Sequence, residues 1–405
     1  MTDHKTSSGY NFFKTKLFES RFMSMLGKSY YMGAGVGKVL YMARQIADGD
    51  FELAYQTLFA AGEEARAIAE DSFNGGHVES SRQAYLWALN YYHNSTYFLD
   101  GTNDASRFLP TWELVDSCWL KAIPLFDPPI EIVEIPYENT HLRGFYIRGN
   151  AKDIQRPLLI LNNGSDGSVF DMWLEGGAGA VARGYDCLIF EGPGQGHALW
   201  KQKLFFRPDW ENVITPIVDF VLGQLPIDPK KIALIGVSQG GYWVPRAVAF
   251  EKRIAAAIAD PGVMDVATSW NGYLPPPMFE LLKSGCKDEF DGYMAEMMSQ
   301  GEKSVLDFRR RPYGFDSYFD VFNAVQEYNL ESAVNHISCP LLITDPVNEG
   351  YWPGQSQRLF DAVAAPKSIV KFSESEGADQ HCEPQALGLR DLRIFNWLDE
   401  ILKTS

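Results

Sequence analysis

Six short strand-like runs recur between residues 157 and 372, most of them apolar throughout, and they limit this chain more than any other feature. They are PLLILN (157–162), CLIF (187–190), IALIG (232–236), AAAIA (255–259), PLLIT (340–344) and SIVKF (368–372). A strand that is apolar throughout, rather than at every second residue, has both faces covered. That is the situation of a parallel sheet layered between helices. Helical spacing follows most of the runs, at 170–183, 210–225, 240–250, 355–363 and 384–402. Two earlier segments, IEIVEIP (130–136) and HLRGFYIR (141–148), are rich in β-branched and aromatic residues. They read as a hairpin turning at Glu138-Asn139. The expectation is a mostly parallel sheet of eight strands.

The alternation is missing in two places. Residues 1–127 carry apolar residues at helical spacing (Leu40, Ala43, Ile46, Leu53, Leu58, Ala61 and Ala65, then Tyr85, Leu86, Leu89 and Tyr92), punctuated by Gly49, Gly75-Gly76 and Gly101. Residues 266–335 are aromatic, Met-rich and helical, with a break at Pro275 to Pro277. The reading is therefore an N-terminal helical domain (1–127), a first part of the sheet core (128–265), a helical lid inserted between the sixth and seventh strands (266–335), and a second part of the core (336–405). A chain of 405 residues is long enough for two such units. No fixed-period repeat is found.

Composition removes several function classes. The formal net charge of −16 repels phosphate backbones and anionic lipid, so neither nucleic acid nor membrane is an expected partner. Cys118, Cys187, Cys286, Cys339 and Cys382 are scattered and form no CxxC pair, which argues against a zinc site or a disulfide scaffold. The polar start, residues 1–16, lacks the features of a secretory signal, and no window approaches 18 apolar residues. The expected location is the cytoplasm. Two glycine-rich stretches resemble nucleotide loops. In Gly192-Pro193-Gly194-Gln195-Gly196 a proline takes the second place. In Gly33 to Lys38 no strand precedes, and Val39 stands where Ser or Thr is needed. Neither is assigned to a cofactor, and none is expected.

The chemistry lies in Gly236-Val237-Ser238-Gln239-Gly240-Gly241, between the run IALIG and an amphipathic helix. A strand–GxSxG–helix junction forces a tight turn that exposes the serine hydroxyl at the helix N-terminus, where an anion is stabilised. Without that context the pattern is an ordinary turn. A serine needs a base, and among seven histidines only His381 follows the last strand. The histidine needs an acid to fix its tautomer. Glu349, four residues before Pro353 in the loop after the seventh strand, is preferred; Asp345 is the alternative acid and Asp260 a third. The oxyanion calls for two backbone N–H groups: Gln239, after the nucleophile, and Ser165 in the Asn162 to Ser168 turn, with Asp166 next.

With these residues placed, the chain resembles one group of the α/β-hydrolase fold. The helical N-terminal part, FEGPGQG (190–196), GVSQGG (236–241), YWPGQS (351–356) and GADQHCEP (377–384) carry the likeness over nearly the whole chain. The group contains 2,6-dihydroxypseudooxynicotine hydrolase and the fungal yellowish-green-type hydrolases that shorten polyketide chains. The resemblance implies cofactor-free, metal-free hydrolysis of a carbon–carbon bond beside a ketone, a pocket between the helical and sheet domains, and in many members a homodimer. It maps the triad onto Ser238, Glu349 and His381, although many members carry aspartate where this chain has Glu349. The group also contains esterases. The expected substrate is a small aromatic or polyketide-like molecule cleaved at a C–C or ester bond. An acyltransferase or cyclase using the same triad, or an amidase or esterase of a small aromatic substrate, is the alternative. A non-catalytic binding protein is the competing class.

Overall fold

The computed structural model describes residues 12–149 and 155–403. His4 and most of the polar start fall outside them. The described chain forms two compact units, one of Met1–Asp127 with Phe372–Arg390, the other of Pro128–Lys371 with Asp391–Ser405. Residues 372–390 thus group with the helical N-terminal segment and not with the strand before them or the rest of the closing helix after them.

The larger unit is built on eight strands: β1 Glu131–Tyr137, β2 Thr140–Ile147, β3 Arg156–Asn162, β4 Asp186–Phe190, β5 Ile227–Val237, β6 Ala256–Asp260, β7 Leu341–Pro346 and β8 Lys367–Phe372. Their order across the sheet is β1-β2-β4-β3-β5-β6-β7-β8. β1, β2 and β4 pair antiparallel, while the pairs from β4 through β3, β5 and β6 to β7 are parallel. This is the expected α/β-hydrolase sheet. All five residues of β4 and of β6 have the burial their apolar runs call for, whereas β8, with Lys371 in its run, is half-buried along most of its length.

Three elements differ from the sequence reading. β5 starts at Ile227, ahead of the apolar run. Its pairing with β3 jumps from Arg156 opposite Ile227 to Leu158 opposite Ile232, so a bulge takes up the polar residues 228–231 and hides the strand's start. The expected helix at 170–183 is interrupted. Glu175 and Gly176 leave helical geometry between Val169–Met172 and Ala178–Ala182, Gly176 at φ 149. The closing helix begins at Leu387 and not at 384.

Between β6 and β7 the chain forms the helices Pro276–Ser284, Lys287–Met297, Gln300–Arg310 and Tyr318–Ala324. Proline at the first helical position suits the start of the first of these. Their buried aromatic residues join those of the sheet unit. Trp210 stacks on Trp243 with centroids 4.2 Å apart, Phe206 packs against both Trp243 and Tyr313, and Trp270 meets Tyr313 and Phe322 edge-on.

The smaller unit packs helices Lys16–Lys28, Val36–Gln45, Phe51–Asn74, Val78–Thr96 and Phe108–Ala122. The Asp50 carboxylate caps the third of these by accepting the Leu53 N–H at 2.9 Å. Gly62 lets the face of Tyr92 come so close that a Cβ there would lie 2.6 Å from the ring. No helix among the described residues is long and apolar enough to cross a membrane.

Candidate active site

β3 and β5 are neighbours with Asn162 opposite Gly236, so the loops leaving their C-terminal ends emerge side by side. In an open α/β sheet such a reversal of strand order opens a crevice above the strand ends. Ser238 stands there with φ 58. A left-handed backbone costs a non-glycine residue roughly 1–2 kcal/mol, and it persists only where the surroundings fix it. They do so here. The Ser238 N–H donates to the Asp260 carbonyl at 2.6 Å, and its own carbonyl accepts from the Gly241 N–H at 2.8 Å. A Cβ on Gly236 would lie 2.1 Å from the Gly240 oxygen, and one on Gly241 would lie 1.8 Å from the Pro261 oxygen. These clashes are why the turn takes glycine two before and three after the serine. Helix Gly240–Phe250 follows, with Pro245 inside it. The Gly241 carbonyl, which Pro245 has no N–H to satisfy, accepts from Val263 at 3.3 Å.

The loop after β3 closes on the serine. A Cβ on Gly164 would lie 2.7 Å from Ser238 Cβ and 3.3 Å from its Oγ. The Gly164 N–H is committed to Asn163 Oδ1 at 2.7 Å. Among the described residues the backbone N–H groups of Ser165 and Gln239 donate to no acceptor. The loop is held from behind by buried amides. Gln195 Nε2 donates to the carbonyls of Asn163 and Gly164, both at 3.0 Å, and its Oε1 accepts from the Gly192 N–H at 3.0 Å. Trp210 Nε1 donates to Asn162 Oδ1 at 2.6 Å, and Asn163 Nδ2 donates to the Ser168 carbonyl at 3.0 Å. The Gly192 to Gly196 stretch, set aside in the sequence as a poor nucleotide loop, is thus a brace for the loop beside Ser238. No sequence pattern marked Gln195 for that task, because its partners are backbone atoms thirty residues away.

The carboxylates after β6 and β7 differ in setting. Asp260 is fully buried and accepts from the Thr344 hydroxyl at 2.6 Å. Asp345 is half-buried. Burial raises its carboxyl above the usual range, with Lys371 opposing and Glu349 adding to the rise. Glu349 is buried, and its Oε1 accepts the backbone N–H groups of Tyr351 at 2.7 Å and Trp352 at 3.1 Å. Two amides fix that carboxylate in one orientation.

His381 is half-buried and lies in 372–390, which belongs to the helical unit. The Ser373 side chain and Glu376 cap the short turn ahead of it, and the Glu383 N–H returns to the Gln380 carbonyl at 2.9 Å. Cys382 and Glu383 both have positive φ, 60 and 46. The N-terminal helix supports this segment. Gly27 lies so close to Pro384 that a Cβ would stand 1.6 Å from its carbonyl oxygen, and the Tyr30 ring lies against Gly388. Sequence reasoning missed Gly27, which looks like any glycine near a helix end.

Comparison with known proteins now bears on the chain as a whole. No family model matches it. Hydrolase LUC6 of a Fusarium species is 30% identical over 410 residues, covering 96% of this chain and 98% of that protein. Alpha/beta hydrolase psoB of Aspergillus fumigatus is 29% identical, covering 96% and 94%. The 20-hydroxy-prefusarin hydrolase FUS2 of Gibberella moniliformis is 28% identical, covering 96% and 97%. Among solved structures, 2,6-dihydroxy-pseudo-oxynicotine hydrolase superposes with a TM-score of 0.69 at 19% identity, over 93% of this chain and 95% of that one, which is a likeness of fold. A similarity that runs end to end, on a sheet with a strained serine at its crevice, leaves one assignment: the chain belongs to the α/β-hydrolase family of these fungal enzymes and is a hydrolase.

Proposed function

We propose that this hydrolase works through a Ser238–His381–Glu349 triad, without a cofactor, on a C–C bond beside a ketone or an ester in an aromatic or polyketide-like substrate. The observation that carries the proposal is the left-handed Ser238 at the end of β5, packed against Gly164. In this reading His381 removes the Oγ proton as Oγ attacks the carbonyl carbon. The Gln239 and Ser165 N–H groups receive the oxyanion. Collapse breaks the bond to the leaving group, an alkoxide or a ketone-stabilised carbanion, and His381 returns the proton to it. Water, deprotonated by His381, then hydrolyses the acyl-enzyme. Glu349 is favoured over Asp345 because two backbone amides hold its carboxylate, whereas burial favours the neutral form of Asp345. The substrate class is supported by the relatives' names, one a prefusarin hydrolase, and by an aromatic fraction of 14%.

A fluorophosphonate probe with peptide mapping tests the nucleophile. Ser238 is expected to be labelled in the folded wild type, and Ser238→Ala to lose both labelling and turnover. Labelling at another residue, or a Ser238→Ala variant with near-normal turnover, would overturn it. Glu349→Gln is expected to lower kcat far more than Asp345→Asn, and the opposite order would move the acid to Asp345.

A further inference from the structure

Three buried side chains just beyond Glu349 tie its loop to the loop that leaves β6. Gln355, the first residue of helix Gln355–Ala362, is 6% exposed, and Trp352 is 2% exposed. Gln355 Oε1 accepts the backbone N–H groups of Met264 at 2.7 Å and Asp265 at 2.8 Å. Its Nε2 donates to the Asp265 carbonyl at 2.9 Å and to Thr268 Oγ1 at 2.6 Å. These bonds use both donors and both acceptor sites of the carboxamide, which leaves it one orientation. Trp352 Nε1 donates to the Val266 carbonyl at 3.3 Å. Ser356 Oγ accepts the Gly262 N–H at 3.0 Å and donates to the Thr344 carbonyl at 2.7 Å. The two loops meet backbone to backbone, for a Cβ on Gly262 would lie 3.0 Å from Ser356 Cα.

Each end of this tie bears on a member of the proposed triad. The loop leaving β6 starts at Asp260, whose carbonyl receives the Ser238 N–H at 2.6 Å. Trp352 gives its backbone N–H to Glu349 Oε1 at 3.1 Å while its indole is anchored at Val266. One frame therefore holds the backbone of the serine and the carboxylate. An apolar side chain at 355 would fill a buried site without desolvating a carboxamide, whereas a fully satisfied polar group fixes a single arrangement. We propose that Trp352 and Gln355 are positioning residues that hold the Glu349 carboxylate in its working direction, an inference that rests on Glu349 being the acid of the triad. They act on the reaction only through that carboxylate.

The test follows the second-order rate at which a fluorophosphonate probe labels Ser238 in the full-length protein, from about pH 5 to about pH 9, the range in which an imidazole titrates. Trp352→Phe removes the indole N–H, and Gln355→Met removes the four carboxamide bonds. They are made separately so that one misfolded variant does not decide the matter. In each, the rate at neutral pH is expected to fall about tenfold or more, since a misplacement of about 1 Å can cost about 100-fold. The acid limb of the profile is expected to move down by about one pH unit, because an imidazolium that loses a facing carboxylate gives up its proton more readily. In a Glu349→Gln background the same substitutions are expected to cost less than about twofold more, as two changes acting through one group do not add. Equal losses in both backgrounds, an unmoved acid limb, or variants labelled at the wild-type rate would each overturn the positioning role. A Glu349→Gln protein labelled as fast as wild type would overturn the choice of acid instead, and an unlabelled wild type would overturn the nucleophile.

Discussion

Gly27→Ala adds one methyl group in the first helix, yet it is expected to disable the enzyme. A Cβ at residue 27 would stand 1.6 Å from the Pro384 carbonyl oxygen, 2.6 Å from its carbonyl carbon and 3.1 Å from Gln385 Cα. All three are backbone atoms, so no side chain can swing aside. Real Cβ contacts do not fall below 3.0 Å, and the segment must retreat by about 1.4 Å, the difference from 1.6 Å. Two opposing terms set the stability. Alanine is preferred over glycine inside a helix by about 1 kcal/mol, while overpacking costs about 1–3 kcal/mol, so the net change is a loss of about 0–2 kcal/mol. Activity has no such offset. His381, the proposed base, lies three residues before Pro384, and a misplacement of about 1 Å in a catalytic group can lower the rate about 100-fold. The expected result is a kcat down about 100-fold, with a melting temperature within a few degrees of wild type and retained far-UV circular dichroism. Gly37→Ala is the control, because nothing lies within 4 Å of a Cβ there; it should keep full activity. A Gly27→Ala enzyme with near wild-type kcat would refute the reasoning that the first helix positions the base.

Two further outcomes follow from single contacts. Gln195→Met keeps the side chain's length but takes both N–H donors from the Asn163 and Gly164 carbonyls; kcat is expected to fall about 100-fold, as when one oxyanion donor is lost, with KM little changed, and an unchanged kcat would show that the brace is dispensable. The Arg107 hydrogen bond holds Glu52 at about 2, below its ordinary 4.5. A lowered carboxyl stabilises the fold above the unfolded value and loses that effect as pH falls. Thermal melts from pH 5 to pH 2 should therefore decline less steeply for Glu52→Gln than for wild type, and identical slopes would exclude this pair as a source of acid lability.

The centre of the sheet was legible because β3, β4, β6 and β7 are buried on both faces for most of their length and so read as apolar runs. The start of β5 was not, since the bulge at residues 228–231 is polar and leaves no such run. The elbow was legible because a tight strand-to-helix turn demands glycines at fixed spacing around Ser238. What surrounds it was hidden for a different reason. Gln195 and Gly27 act on backbone atoms of distant segments, and one sequence carries no mark of which backbone will lie beside a given residue. The amides that face Glu349 and support it over Asp345 as the proposed acid are set by the loop's path and not by its composition.

The discontinuity of the smaller unit bears on how the protein is made. Residues 1–127 are synthesised before the sheet, yet the unit they found is completed by residues 372–390, which follow it. The first helix must therefore wait, with its docking face for the histidine segment uncovered, until residues 372–390 have been synthesised. A chain released early would carry every strand of the sheet and the serine elbow but an unfinished helical partner, so truncation near the C-terminus should yield aggregation-prone protein more than weakly active enzyme.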